Sequence, residues 1–243
     1  MQDSCTIPEV IKAGLTDKTL EVFDAVSRLE CIKGLYLCGG TGQSIQQHHR
    51  LSEDLDFELI GIKRERPNLD LSGIIKETET AFPDTKAEIL GEDHLLMYIN
   101  GGTVKLSFYR PENQVKAIHD GLTYRNLKAP TLQDLLGMKV YTVCLRSTFR
   151  DYYDIYCLLE AGCTLDEAIS YASYLSRHRI KSKYMFSRLL SPRLYIKEDF
   201  DRMHPKYPNL TSDEICEFIK KTITVENKAA LDAKIRQGIT DLQ

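Results

Sequence analysis

Strand-like patterns concentrate before residue 110 of this chain, and after Pro130 the apolar residues recur at helical spacing. Segregation of that kind suits an α+β chain with a helical C-terminal part, rather than alternating βαβ units. The clearest strand pattern is "LLMYINGGTVKLSFY". Two apolar runs flank Asn100-Gly101-Gly102, residues that adopt the positive φ of a tight hairpin turn, so the two strands are antiparallel neighbours. "GLYLCGG" reads as a short buried strand ending at Gly39, and "LDFELIGI" as a second strand. Helices are expected over 17–30, opened by Asp17, over Thr41 to His48, and over "LSGIIKETETAF", stopped by Pro83. Four more are expected over 131–146, 149–161, 165–176 and 212–221. Thr131 with Asp134, Thr148 with Asp151 and Thr164 with Glu167 have the spacing of capping boxes. Residues 64–70 read as a charged loop. The expected organisation is an α/β core over 1–129 and a helical domain over 130–243.

At 243 residues and 42% hydrophobic content, the chain can bury a sizeable core. A net charge of -3 does not announce nucleic-acid binding, although a balanced total can conceal a local basic patch. Seven cysteines, none in C-x-x-C spacing, argue against a zinc site and for free thiols in a reducing compartment. "MQDSCTIPEVIK" has neither a basic start nor an apolar stretch of the signal-peptide kind. The apolar runs fall far short of the roughly 20 residues that span a bilayer. The expectation is a cytoplasmic protein with no membrane partner.

The stretch "LYLCGGTGQSIQQHHRLSEDLDFEL" carries the chemistry. Walker A spacing is absent, and the dinucleotide fingerprint fails because position 45 is Ile. What remains is a glycine pair, Gly39-Gly40, ahead of a helix whose first N–H groups would face an anion. A plain strand-to-helix turn would also need glycine. Asp54 and Asp56 stand one residue apart on a strand and so point the same way. Two carboxylates on one face call for a cation, and oxygen-only ligands with phosphates suit Mg²⁺. Read alone, the aspartates could be a solvated strand end, helped by Glu53 and Glu58. Glycine turn and carboxylate pair together make a coherent nucleotide site.

Gly39-Gly40-Thr41, then His49-Arg50-Leu51-Ser52, then Asp54-Leu55-Asp56-Phe57 closely resemble the AbiEii/AbiGii-type nucleotidyltransferases, known as toxins of bacterial abortive-infection and toxin–antitoxin systems. "KVYTVCLRSTFRDYYDIYCLL" resembles that family's helical signature through Lys139, Arg146, Arg150, Asp151 and Asp154, and Lys105-Leu106 resembles its strand ending in Lys-Leu. The resemblance spans roughly residues 35–161. It implies a fold related to DNA polymerase β, a nucleotidyltransferase-like mixed sheet with flanking helices, whose helical domain contributes to the active-site cleft. It also implies an NTP substrate with Mg²⁺, transfer to an acceptor that is tRNA in some members, and a possible cognate antitoxin.

On this reading Asp54 and Asp56 are metal ligands and catalytic, with Lys139, Asp151 and Asp154 as further catalytic candidates. Gly39, Gly40, Thr41, Arg50, Ser52, Lys105, Arg146 and Arg150 would hold nucleotide. Plainer roles stand beside these. Gly39 could be turn geometry, Arg50 and Ser52 could fix the loop before Asp54, and Lys139 could be an exposed helix lysine. Asp151 could cap a helix, and Arg150 could pair with Asp154. One of His48 and His49 could serve as a general base, and the plainer reading is a solvent-facing loop pair. Many polymerase-like enzymes carry a third acid on a neighbouring strand. Here that face offers Lys105, Ser107 and Tyr109. Either two acids suffice, or Asp151 or Asp154 completes the site, or activity has been lost.

From Ala168 to Lys197 there is no acid, and Arg177, Arg179, Lys181, Lys183, Arg188, Arg193 and Lys197 alternate with four tyrosines. Cations with aromatics suit RNA, and a solvated helix surface is the plainer reading. The expected function is therefore a Mg-dependent nucleotidyltransferase acting on tRNA or another RNA. The rivals are a D-x-D glycosyltransferase and a degenerate protein that binds nucleotide or RNA without chemistry.

Overall fold

The computed structural model describes residues 7–60, 68–111, 119–191 and 200–240. Two compact units form, Met1–Leu135 with Phe200–Pro208, and Leu136–Asp199 with Asn209–Gln243. Cys5, loop residues 64–67, and Arg193, Tyr195 and Lys197 of the acid-free segment lie outside the described residues. The described cysteines carry free thiols. Among the described residues no helix is long and apolar enough to cross a membrane.

The first unit opens with helices α1 (Glu9–Lys12) and α2 (Asp17–Val26). Thr16, not the expected Asp17, is the N-cap of α2, and its Oγ1 accepts from the Thr19 N–H. Strand β1 is only Tyr36–Leu37, because the chain turns straight into α3 (Gly39–Gln47), so the helix expected from Thr41 already begins at the glycines. Next come β2 (Leu55–Glu58), shorter than expected, and α4 (Leu71–Ala81), with Asp70 as its cap. Strands β3 (Lys86–Gly91), β4 (His94–Ile99) and β5 (Val104–Tyr109) follow. The expected hairpin is β4–β5. Ile99 pairs with Val104, and Asn100, Gly101 and Gly102 all have positive φ.

The sheet is mixed, in the order β1-β2-β5-β4-β3, and only β2 and β5 run parallel. Leu55, Phe57, Leu106, Phe108 and Met97 point into one core with Phe23 and Val26 of α2. Phe57 stacks on Phe108 at 5.4 Å. The opposite face of β2 is left to Asp56 and Glu58. A second ribbon, β6 (Asp120–Tyr124) and β7 (Leu127–Pro130), leads into α5 (Leu132–Leu145), within which the unit boundary falls.

The second unit is helical. It continues α5 and adds α6 (Phe149–Glu160), α7 (Leu165–Leu175), α8 (Ser182–Leu189) and α9 (Ser212–Thr240). Tyr152, Tyr153, Leu158, Ala168, Ile215 and Ile219 are buried in it, and the Tyr156 and Phe218 rings join α6 to α9 at 4.7 Å. Two of the expected caps form otherwise. Thr164 makes no side-chain cap bond; the Glu226 carboxylate of α9 accepts from the N–H groups of Leu165 and Asp166 at 2.8 and 3.0 Å. Thr148 spends its hydroxyl on the Asp151 side chain rather than on a backbone N–H. The Thr131–Asp134 cap forms as its spacing predicts, with the Asp134 N–H on Thr131 Oγ1 at 3.2 Å.

Candidate functional site

Alternation along β2 buries Leu55 and Phe57, so Asp56 must point to the other face. Asp54 lies one residue ahead of the strand. The parallel register sets Leu55 opposite Leu106 and Asp56 opposite Ser107, which leaves Lys105 beside Asp54. Its ammonium bonds the Asp54 carboxylate at 2.7 Å, the two side chains being 33% and 40% exposed. Burial alone would lower the Lys105 pKa; the bond to Asp54 and the charges of Asp54 and Asp56 outweigh it and raise it. A lysine ammonium thus stands where two carboxylates demand a cation.

The glycines are shaped by the same acids. Gly39 has φ +63°, and a Cβ there would lie 2.7 Å from Asp56 Oδ2. A Cβ at Gly40 would overlap the Arg50 guanidinium, which is buried and donates to the Leu51 carbonyl at 3.0 Å. Thr41 is buried too. Its hydroxyl donates to Ser52 Oγ at 2.7 Å and lies against the Asp54 carbonyl. Thr41, Arg50 and Ser52 therefore connect the glycine turn to the loop that presents Asp54.

That loop is braced along its length. The Ser52 N–H donates to the Gly14 carbonyl, and the Thr16 N–H to that of Ser52, at 3.0 and 3.2 Å. The Thr19 hydroxyl donates to the Glu53 carbonyl at 2.8 Å. From Phe200–Pro208, the Met203 carbonyl accepts from the Leu51 N–H at 2.7 Å, and the Lys206 N–H donates to the His49 carbonyl at 2.8 Å. A main chain tied at so many points presents its carboxylate pre-organised. His49 is fully buried, against the expectation of a solvent-facing pair; His48 is exposed and closes α3 with φ +52°.

Glu58 continues the acidic face. Burial raises its carboxyl to about 8, and the neighbouring Asp56 adds to the rise. Burial, Glu58, Asp56 and Asp134 together push the Cys38 thiol well up. Glu58 went unweighed as a site residue in the sequence, where strand alternation was the available signal. The expected face of β5 is as read: Lys105, Ser107 and Tyr109 turn outward, while Val104, Leu106 and Phe108 are buried.

In the helical unit, Lys139 is not an exposed lysine. It is 6% exposed on α5, and its ammonium lies 2.9 Å from Asp151 and 2.6 Å from Asp154, both fully buried on α6. Arg146 holds Asp151 with two bonds, Nε to Oδ2 at 2.7 Å and Nη2 to Oδ1 at 3.0 Å, and the Thr148 hydroxyl adds a third at 2.7 Å. Burial would raise the Asp151 carboxyl, but Lys139 and Arg146 hold it far below the usual carboxylate range. Lys139, Asp151 and Asp154 are buried together, and the exposed Arg146 brings the cluster to neutrality from the surface. Arg150 begins the same helix, half-buried.

In the acid-free segment, Arg177, Arg179, Lys181 and Lys183 are exposed around the α7–α8 turn, with Tyr174 and Tyr184. Arg188 departs from this set. It turns inward to donate to the Val143 carbonyl at 3.0 Å and to Ser147 Oγ, where its charge complements the C-terminal carbonyls of α5.

Among the described residues no group of three or more His, Cys, Asp or Glu could hold a metal ion. The donor set at β2 is two carboxylates, of the kind that binds Mg²⁺ together with substrate phosphates.

A family model described as nucleotidyl transferase AbiEii toxin, type IV TA system, matches residues 23–236. No curated protein sequence matches significantly. Solved structures are similar as well, two of them from Helicobacter pylori. The crystal structure of JHP933 from Helicobacter pylori has a TM-score of 0.53 at 15% identity, covering 92% of this chain and 99% of that one. A candidate nucleotidyltransferase from H. pylori has a TM-score of 0.54 at 15% identity, covering 88% of this chain and 99% of that one. At that identity the likeness speaks for the fold.

Proposed function

We propose, for a chain that belongs to the AbiEii family of nucleotidyl transferase toxins, that it moves an NMP from a Mg²⁺-bound NTP onto an RNA acceptor, tRNA foremost. The observation that carries this reading is the pair Asp54 and Asp56, presented by a braced loop against the glycine start of α3, with the Lys105 ammonium already on Asp54. A hydroxyl oxygen of the acceptor would attack the α-phosphorus. The bond from that phosphorus to the bridging oxygen breaks, and pyrophosphate leaves. Mg²⁺ held by Asp54 and Asp56 would neutralise the triphosphate and the charge growing on the leaving group.

The chain's own residues do the rest. The first N–H groups of α3 would face the phosphates, and Gly39 adds no side chain of its own beside Asp56. Thr41, Arg50 and Ser52 act as positioning residues, because their polar groups are engaged with the Asp54 loop. Lys139 is a phosphate candidate by family resemblance, and its ammonium is engaged with Asp151 and Asp154. Arg146 and Thr148 keep that cluster in register. Acceptor RNA is assigned to Arg177, Arg179, Lys181 and Lys183 with Tyr174 and Tyr184. Lys181 is the N-cap of α8 and Lys183 lies in its first turn, which has no acid. Cations there oppose the helix dipole, so helix stability does not account for them, and phosphate contact does.

The family is that of toxins in type IV toxin–antitoxin systems, so a cognate antitoxin belongs to this reading, as does a cytoplasmic setting. Incubation with each NTP and total tRNA tests it through the product. Pyrophosphate with labelled tRNA is expected. Nucleoside diphosphate would favour sugar transfer, and neither product would leave a binding protein.

A further inference from the structure

Asp54 is paired with a lysine whose attachment differs from its own. Val104 and Leu106 are buried, so Lys105 between them is forced onto the acidic face, beside Asp54 by the parallel register. The Lys105–Asp54 bond is 2.7 Å, and both side chains are about a third exposed, so a solute can reach it. The Lys139 cluster, by contrast, is buried. The main chain at Asp54 is fixed, since its carbonyl meets the Thr41 hydroxyl and the Glu53 carbonyl accepts from Thr19. Lys105 meets Asp54 through its ammonium, at the end of a stem with four rotatable bonds. A divalent cation approaching Asp54 must displace that ammonium, and the ammonium must find another anion.

We propose that Lys105 is the site's resident counter-ion: it occupies the metal position in the ligand-free protein and moves to the polyphosphate chain when metal and nucleotide enter. The inference rests on the nucleotidyltransferase reading of Asp54 and Asp56. Its consequence is coupling. Metal alone binds weakly, because it must break the Lys105–Asp54 pair and meet a nearby positive charge. Metal with polyphosphate binds well, because the released ammonium gains a charge-assisted bond to a phosphate oxygen. Lys105 thereby makes metal and nucleotide enter together.

The test uses the full chain, Mn²⁺ followed by the electron paramagnetic resonance of the free ion, and inorganic tripolyphosphate as the anion. Wild type, Lys105→Met and Lys105→Gln are titrated with Mn²⁺ alone and with Mn²⁺ plus tripolyphosphate, after circular dichroism has shown each to be folded. Loss of the ammonium should tighten Mn²⁺ alone about two- to fivefold, in keeping with a part-exposed ion pair. The same loss should weaken Mn²⁺ with tripolyphosphate by about tenfold, the size of one charge-assisted bond. Opposite signs in the two titrations support the proposal, since a purely structural role would shift both the same way. Variants that bind Mn²⁺ alone no tighter than wild type overturn it, as does unchanged binding with tripolyphosphate. In both cases the metal reading stands if Asp54→Asn abolishes Mn²⁺ binding. Wild type that binds no Mn²⁺ under either condition removes the metal reading and the proposal with it.

Discussion

Replacing Lys139 by methionine removes one of two cations from a buried cluster and leaves a similar volume behind. Asp151 keeps Arg146 and Thr148, but Asp154 loses its 2.6 Å partner while fully buried. Deleting one partner of a buried ion pair costs about 3–5 kcal/mol, because the remaining charge stays desolvated. At about 2–4 °C per kcal/mol for a domain of this size, melting should fall by roughly 6–20 °C. The pH dependence gives the cause. Without the Lys139 ammonium, burial would raise the folded-state pKa of Asp154, so its stabilising contribution would be present below the unfolded value and lost as pH rises through the folded one. The deficit of Lys139→Met should therefore be larger at pH 8 than at pH 5. In wild type, the lowered Asp151 behaves oppositely: its contribution is present above the unfolded carboxylate value and is lost in strong acid. Thermal denaturation followed by circular dichroism at both pH values decides this, with Lys139→Arg as the charge-keeping comparison. A methionine variant melting within about 2 °C of wild type at pH 8 would refute the buried-cluster account.

Gly39→Ala should cost about 1–2 kcal/mol in backbone strain and also push Asp56 aside, lowering turnover at least tenfold. Gly34→Ala, equally left-handed at φ +84° but with nothing within 4 Å, should show the strain in its melting curve and leave turnover unchanged. Glu58 has its carboxyl raised from 4.5 to about 8, so wild-type stability should decline as pH rises from the lower value to the upper one, and Glu58→Gln should flatten that decline in urea titrations. Replacing Arg177, Arg179, Lys181 and Lys183 together by Glu should abolish tRNA binding in a filter assay and remove its steep salt dependence, while Mg²⁺–NTP binding persists. Unchanged tRNA affinity would return those residues to an ordinary solvated surface.

The α+β organisation was legible because both of its signals are local. The β4–β5 hairpin follows from Asn100-Gly101-Gly102 between alternating runs, and α6 and α7 follow from apolar spacing. Strand β3 gave no signal, since all six of its residues are exposed and no face alternates. The short ribbon β6–β7 likewise lacks a run long enough to read. Within the candidate site, alternation foretold the face of Asp56, and glycine beside a carboxylate pair foretold the turn. The bracing did not show. Met203 and Lys206 reach Leu51 and His49 from more than 150 residues away in sequence, and Glu226 caps α7 from 60 residues away. Bonds of that range leave no local pattern. The burial of His49 and Lys139 comes from the same tertiary source, which is why base rates favoured an exposed position for each.

The central claim is that Asp54 and Asp56 support nucleotidyl transfer. Its most direct measurement is label transfer from α-³²P-labelled NTPs to total tRNA by wild type, Asp54→Asn and Asp56→Asn, each checked for an unchanged melting temperature. The account predicts labelled tRNA with wild type for at least one NTP, and a loss of about 10³-fold or more with either variant, the order of several kcal/mol of lost transition-state stabilisation. Transfer by both variants at near wild-type rate would contradict it.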